Sequence, residues 1–253
     1  MLPECNQMIR RPKTDYPLLD GFRTVRIKFS KMGSMQYISH LDMQRNIGRV
    51  LTRADIPMWY TKGFNPHAKV IFALPLSVGA QSECEYIDLR IERDMPCEEI
   101  RDRLNAEMTQ EMQVCEAYVP GEKADFSTIA WADYDITIRC GGMDDALPAA
   151  IKHFLSTSPV TVEKKSKSGL REIDIVPLIR TLNVVLDGAS TDALRTLRLH
   201  ATLSTAGADY LNPEYIIRVL KDRFSLLCGD PKTEEYSIIR RRVLLQDGET
   251  EFR

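Results

Sequence analysis

The sequence predicts an α+β protein made of two tandem ferredoxin-like βαββαβ units with antiparallel sheets. Alternating apolar and polar residues indicate strands, as in the run from Val25 to Phe29. Apolar residues at helical spacing indicate helices between the strands. The order strand, helix, strand, strand, helix, strand occurs twice along 253 residues, a length that suits two ordinary domains.

The first unit has clear helix boundaries. Ser39 is a helix cap because Asp42 follows three residues later, and the helix must end before Pro57. The predicted elements are a strand over 24–30, this helix, strands over 69–74 and 85–91, a helix from about residue 96, and a strand over 113–119.

The second unit repeats the order with an insertion. Asn212 caps its last helix and Pro213 is the first helical residue. The predicted elements are strands over 134–138, 160–162, 197–203 and 236–245, a helix over 146–155 and the helix after Asn212. The expected organisation is a flexible N-terminal tail (1–22), a first domain (23–122) and a second domain (129–248) with an inserted basic loop (164–188).

Composition excludes several classes of protein. Apolar residues make up 43% and charged residues 28%, which is typical of a globular chain. No apolar run of about 18 residues predicts a membrane span, and the first 20 residues lack the apolar core of a signal peptide. The six cysteines are scattered without a C-x-x-C pair, which predicts a cytoplasmic protein without a metal site. Phosphate-loop and dinucleotide motifs are missing, so no cofactor is expected.

Charge is divided sharply along the first unit. Residues 23–69 carry a net charge of +7 and residues 70–130 carry −8, although the whole chain has −2. A basic segment attracts the phosphates of nucleic acids, and this predicts RNA binding. The alternative is that the two segments pair across the sheet, with Arg26 and Lys28 facing the acidic strand around Asp88. That alternative explains the cations on the helix and the turn less well.

Two loops have the composition of an RNA contact. In the turn 62–69, a glycine and two lysines accompany Phe64, which offers a face for base stacking. The alternative for Phe64 is that it anchors a plain connection. The basic loop that begins at Lys164 is either a mobile arm over RNA or a solvated hairpin tip. The predicted RNA-binding residues are Lys31, Arg45, Arg49, Lys62, Gly63, Phe64, Asn65, Lys69, Lys164, Lys165, Lys167 and Arg171.

Two histidines allow an enzymatic hypothesis. His40 lies at the start of the first helix and His67 lies in the turn. Together they form a candidate acid–base pair for metal-independent cleavage of RNA, with a lysine stabilising the phosphorane charge. The alternative is that Ser39 and Asp42 simply cap the helix and His40 packs beside them.

Five segments in order resemble one bacterial family. They are Arg26–Gly33, Tyr37–Asp42, Lys62–His67, Phe72–Gly79 and Gly169–Ile179. Together they are similar to the radical-SAM-linked family, a bacterial domain family of unknown function, and this chain resembles its stand-alone form.

The resemblance implies a partner rather than a catalytic residue. Members of the family are fused to a radical SAM protein or encoded beside one, often near a ribonuclease of the E/G type. The leading hypothesis is therefore an RNA-binding accessory protein that acts with a radical SAM enzyme. The first alternative is an endoribonuclease, because the architecture is similar to that of CRISPR-repeat endoribonucleases, which can use a histidine where His40 lies. The second alternative is a protein–protein adaptor that does not contact RNA.

Overall fold

A computed structural model gives the fold of most of the chain. It describes residues 15–121, 124–157, 159–166, 169–189 and 193–253, with only the backbone of 165, 166 and 208. The chain divides into two compact units. Unit 1 takes in Met1–Pro75 and Glu85–Gly121, and unit 2 takes in Leu76–Cys84 and Glu122–Arg253. Each unit combines α-helices with mostly antiparallel strands.

Unit 1 has the order of elements that the sequence predicts. The elements are β1 (Leu18–Lys31), α1 (His40–Arg53), β2 (Val70–Phe72), β3 (Ala80–Arg93), α2 (Cys97–Glu107) and β4 (Val114–Tyr118). Strand β1 lies between β4 and β3, and β2 pairs with β3 in the antiparallel direction. The residues of β3 up to Cys84 belong to unit 2.

Strand β1 begins earlier than the sequence predicts. Residues 18–22, expected in the flexible tail, are part of the strand, whereas residues 1–14 of that tail lie outside the described residues. Phe22 anchors the extension, because its ring lies 5.3 Å from that of Trp59 and 4.1 Å from the guanidinium carbon of Arg90. Gly21, at a φ of 99°, interrupts the alternating pattern that would have revealed it.

Helix α1 packs one apolar face onto the sheet of unit 1. The Ser39 Oγ accepts a hydrogen bond from the Asp42 N–H at 3.1 Å, which confirms the predicted cap. The inward face carries four buried residues, Met43, Ile47, Val50 and Leu51. They share a core with the inward residues of β1, and each buried side chain of this size contributes about 1.5–3 kcal/mol. The opposite face of α1 is left to solvent.

Unit 2 contains four further strands of the large sheet and a separate hairpin. The elements are β5 (Trp131–Cys140), α3 (Leu147–Thr157), β6 (Thr161–Ser166), β7 (Gly169–Asp174), β8 (Ile179–Asp187), β9 (Arg195–Ser204), α4 (Glu214–Phe224) and β10 (Glu235–Leu244). The sheet order is β8-β9-β5-β10, and residues 80–82 pair with β10 in the parallel direction. Short 3-10 turns occur at Gly33–Tyr37, Phe126–Thr128, Val176–Leu178 and Gly207–Asp209.

The second sheet strand of unit 2 lies further along the chain than predicted. Residues 161 and 162 of the strand predicted over 160–162 do form a strand, β6, but β6 pairs with β7 in a separate two-stranded hairpin rather than taking the second strand position of the unit. The strand beside β9 is β8, which the prediction included in the insertion 164–188. Leu182, Val184 and Leu186 alternate inward along β8, and this longer period-two pattern outweighs the three-residue run.

Candidate nucleic-acid interface

Many cations of the basic segment are held in ion pairs within unit 1. The Arg26 guanidinium, 2% exposed, binds both oxygens of Asp88 at 2.8 Å. Lys28 approaches Glu116 on β4 at 3.8 Å rather than the acidic strand β3. Arg23 also pairs with Asp94, and Arg53 pairs with Glu107. The cross-strand alternative is thus confirmed for Arg26, and the basic segment offers less free charge than its sequence suggests.

Lys31 does not reach the surface. Its side chain is 2% exposed, and its Nζ donates a hydrogen bond to the Gln36 carbonyl at 3.4 Å. Gln36 belongs to the 3-10 turn that follows β1 directly. The ammonium is therefore bound inside the fold, and Lys31, predicted to contact RNA, is not on the accessible surface.

The solvent face of α1 carries an open groove lined mainly by arginines. We define the α1 groove as Arg45, Gly48, Arg49, Thr52 and Arg53. The spacing i, i+4, i+8 places the three guanidinium groups along one side of the helix. Hydrogen bonds from Ser39 and then Arg45 hold the pKa of Asp42 below its ordinary value, so this carboxylate is charged and pairs with Arg45. Arg49 is exposed, and no carboxylate lies within ion-pair distance of it in the part of the chain that the structure describes.

Gly48 forms an open floor in the α1 groove. Apart from the helix's own backbone and the two adjacent residues, no atom lies within 4 Å of the position that a Cβ would occupy there, so neighbouring packing does not require a glycine. A glycine inside a helix costs about 1 kcal/mol relative to alanine. The lack of a side chain leaves the helix backbone accessible between Arg45 and Arg49.

Backbone hydrogen bonds between its two flanks close the base of the turn 62–69. Thr61 N–H donates to the His67 carbonyl at 3.0 Å, and Lys69 N–H donates to the Trp59 carbonyl at 3.2 Å. Gly63 has a φ of 143°, a conformation that favours glycine. We define the tip as Lys62, Gly63, Phe64 and Asn65, all of which are exposed, whereas Lys69 is half-buried.

Phe64 does not anchor the turn. Its exposure is 112% of the reference value, so the ring makes no packing contact that would hide it from water. An apolar ring of this kind, beside an exposed lysine, is available for stacking on a nucleic-acid base. The structure thus removes the anchoring alternative for this residue.

The two candidate catalytic histidines have separate partners. The half-buried His40 ring packs edge-on against Phe72, with centroids 5.2 Å apart, and its Nε2 lies 3.1 Å from the Gln44 amide nitrogen. His67 is exposed, and its Nδ1 lies 3.1 Å from the Thr61 hydroxyl. The packing of His40 beside the helix cap and against Phe72 is the arrangement of the alternative given for that residue.

The basic loop of unit 2 is the β6–β7 hairpin. Lys164 and Arg171 are directly opposite in its register. Lys164 Nζ donates to the Tyr210 carbonyl at 2.8 Å, while Arg171 is exposed. Lys167 and the side chain of Lys165 lie outside the described residues.

Sequence reasoning missed a cavity in unit 2. Its volume is about 380 Å³, and its polar lining includes Glu214 and Tyr236. Glu214, Arg218 and Lys221 stand at i, i+4 and i+7 on α4, which is a signal that the sequence contained. The other wall comes from residues that the fold brings in from the segment around β10.

The described residues do not include a group of three or more histidine, cysteine, aspartate or glutamate side chains arranged to hold a metal ion. Within the same residues, every helix is too short or too polar to cross a membrane.

Comparison with known proteins places the chain in a family. A search of curated proteins gave no match. A family profile described as "Uncharacterized protein conserved in bacteria (DUF2344)" matches residues 24–213, about three quarters of the chain, and this span includes all five motifs identified in the sequence. The chain therefore belongs to this bacterial family of uncharacterized proteins.

Proposed function

We propose that this chain binds single-stranded RNA through unit 1 and acts as an accessory protein for a radical SAM enzyme. The observation that carries the proposal is the exposed ring of Phe64 beside Lys62 at the tip. Burial of an exposed apolar ring is favourable, and base stacking buries it without demanding one sequence. Asn65 and the backbone N–H groups around Gly63 add donors for phosphate or base edges.

The α1 groove supports the proposal electrostatically. Arg45 and Arg49 remain exposed on the helix, whereas Arg26 is used inside the unit. Arginine pairs with phosphate through two parallel N–H bonds. The proposed RNA contacts in unit 1 are therefore the α1 groove and the tip, with Lys69 at the edge of the turn. In unit 2, Arg171 offers a further cation.

The proposed partner rests on the family resemblance. The five motifs resemble those of a family whose members are fused to radical SAM enzymes or encoded beside them. In the proposed arrangement the radical SAM enzyme carries the iron–sulfur cofactor, and this chain holds the RNA for modification or processing. We also propose that residues 23–122 and 129–248 are tandem ferredoxin-like domains, the second with the β6–β7 hairpin inserted after α3. The neighbour order around β1 and β5 supports that assignment.

The test is RNA retention by the purified chain in chelator, measured across a salt series with total cellular RNA. Replacement of Phe64 by alanine removes one stacking face, and we expect RNA affinity to fall about tenfold. Replacement of Lys62 by alanine removes one phosphate contact, and we expect the slope of log affinity against log salt to decrease by about 1. The matched control is Arg101→Ala, which removes a half-exposed cation of unit 1 that pairs with Asp102 and lies outside both surfaces.

The same experiment separates the three hypotheses. Retention of intact RNA that weakens in the Phe64 and Lys62 variants supports the accessory role. Cleavage of RNA in chelator that disappears in His40→Ala would instead support the endoribonuclease alternative. Salt-insensitive or absent retention would overturn RNA binding and support the adaptor.

A further inference from the structure

The cavity of unit 2 has the size of a small-molecule site. Its volume of about 380 Å³ falls within the range of about 300–1,000 Å³ that is typical of ligand pockets. Helix α4 forms one wall with Glu214, Arg218 and Lys221, and Tyr236 of β10 faces them. None of these residues belongs to the surfaces proposed for RNA binding.

At one end of the cavity, the Glu214 carboxyl group is hydrogen-bonded to the phenol of Tyr236. The Tyr236 hydroxyl donates to Glu214 Oε2 at 3.1 Å. Burial raises the pKa of the Glu214 carboxyl, and the hydrogen bond from Tyr236 only partly offsets this effect. Burial and then the Glu214 charge raise the pKa of the Tyr236 hydroxyl. The pair therefore offers the acceptor oxygens of a half-buried carboxyl group and an exposed aromatic ring.

Two cations follow Glu214 along the same helix face, Arg218 one turn away and Lys221 two turns away. Arg218 and Lys221 are exposed and follow Glu214 by four and seven residues. The Arg218 guanidinium carbon lies 5.4 Å from the centroid of the Tyr215 ring, which holds the side chain against α4. Seven residues of α-helix span roughly 10 Å, so this distance separates Glu214 from Lys221 along the axis.

The wall opposite α4 is preformed. Glu234 accepts hydrogen bonds from the N–H groups of Gly229 at 2.6 Å and Gly141 at 3.3 Å, so its carboxylate fixes the loop. Leu227, also in the lining, has a φ of 57°, which is rare for a bulky residue. Strained backbone of this kind is concentrated at ligand sites, where the surrounding structure holds it.

We propose that the cavity binds a nucleoside monophosphate group. The ligand must carry hydrogen-bond donors at one end and an anion roughly 6–10 Å away, which a base or ribose and a 5′-phosphate supply. Tyr236 provides a ring beside the base, Glu214 accepts from its amino or hydroxyl groups, and Arg218 and Lys221 neutralise the phosphate. An α-amino acid has both charges too close together to reach both ends. The group comes either from a free nucleotide or from the 5′ end of an RNA strand.

The experiment titrates the full chain with each of the four 5′-monophosphates by calorimetry. A 12-residue RNA is then compared with and without its 5′-phosphate. We expect saturable binding of at least one nucleotide at about 1 mM or below. Arg218→Ala and Lys221→Ala should each weaken it about tenfold through the loss of a charge-assisted contact. Arg223→Ala is the matched control, because Arg223 is an exposed cation on α4 outside the cavity lining.

The comparison between probes identifies the source of the ligand. An RNA whose affinity depends on its 5′-phosphate, and which the nucleotide displaces, indicates a strand end. Nucleotide binding without a 5′-phosphate effect on RNA indicates a free nucleotide. Binding of neither probe, or equal affinity in wild type and both α4 variants, overturns the proposal. Phe64→Ala must leave nucleotide affinity unchanged, so a failure of RNA binding in unit 1 is distinguishable from a failure here.

Discussion

Arg26 and Arg49 belong to the same basic segment, yet the fold uses them in opposite ways. Arg26 lies on β1, is almost fully buried and binds Asp88 through two hydrogen bonds. Arg49 lies on α1, where the guanidinium faces water above the open floor at Gly48. A buried, paired charge is tied to stability, whereas an exposed one has little effect on folding and is free to bind a polyanion. The position of each arginine in its strand or helix, and not the number of charges in the segment, decides whether it is buried and paired or exposed.

The aromatic residues of unit 1 show the same division. Phe22 packs against Trp59 and the Arg90 guanidinium, so its ring serves the fold. Phe64 is fully exposed at the tip. Both are phenylalanines close to basic residues, but Phe22 is 43% exposed and already packed, whereas the whole ring of Phe64 is open to a partner.

The largest expected effect comes from removal of the buried guanidinium. Arg26→Ala leaves the half-buried Asp88 carboxylate without its bidentate partner, and we expect a loss of about 3–5 kcal/mol in the free energy of unfolding. Urea denaturation measures it. The double variant Arg26→Ala with Asp88→Ala should lose less than the sum of the single variants. An effect below about 1 kcal/mol would show that Arg26 behaves like a surface ion pair, and the comparison would fail.

Gly48→Ala sharpens the comparison because stability and binding should move in opposite directions. The methyl group meets open space and alanine favours the helix, so we expect the free energy of unfolding to rise by about 1 kcal/mol. The same methyl group covers the floor of the α1 groove, and RNA affinity should fall. Denaturation and RNA retention on one preparation test both parts. A stabilised variant with unchanged affinity would show that RNA does not approach the backbone there.

Local patterns of sequence were sufficient for the order of elements in unit 1, though not for the start of β1, and they were not sufficient for all of unit 2. The cap at Ser39 and the apolar spacing of α1 are properties of adjacent residues, and the structure confirms both. Strand β8 was missed because two segments shared the alternating pattern, and pairing with β9 across the chain decides between them. Such pairing between distant segments cannot be recognised from a short stretch of sequence.

Sites depend even more on distant contacts. The burial of Lys31 results from the turn that follows β1, so a lysine in a basic run became part of the interior. The sequence of the turn is compatible with Phe64 either exposed for stacking or packed as an anchor. Its exposure depends on the fold of the turn, whose base is closed by backbone hydrogen bonds. The cavity of unit 2 joins Glu214 to Tyr236, which are separated by 22 positions, and only the fold brings them within 3.1 Å.

Glu214 adds a third case to the comparison of Arg26 with Arg49, because its half-buried carboxyl group accepts a hydrogen bond from the neutral phenol of Tyr236. Burial raises the pKa of the Glu214 carboxyl in the folded chain. The stability that this raised pKa contributes is therefore fully present when the pH lies below the ordinary pKa of 4.5. That contribution is lost as the pH rises through the raised pKa. Glu214→Gln should therefore be more stable than wild type at neutral pH, by less than about 1 kcal/mol, with little difference near pH 4. Thermal unfolding between pH 4 and 8 tests this, and an advantage limited to acid would contradict it.

The smallest effect on stability, and the sharpest test of the division, belongs to Arg49→Ala. The side chain is exposed without an ion pair among the described residues, so the free energy of unfolding should change by no more than about 0.5 kcal/mol. If the α1 groove binds phosphate, the slope of log RNA affinity against log salt should still fall by about 1. Arg101→Ala, which removes the same charge elsewhere in unit 1, should leave the slope unchanged. Equal slopes in wild type and both variants would mean that the exposed arginines of α1 are only solvated. RNA binding by unit 1 would then rest on the tip alone.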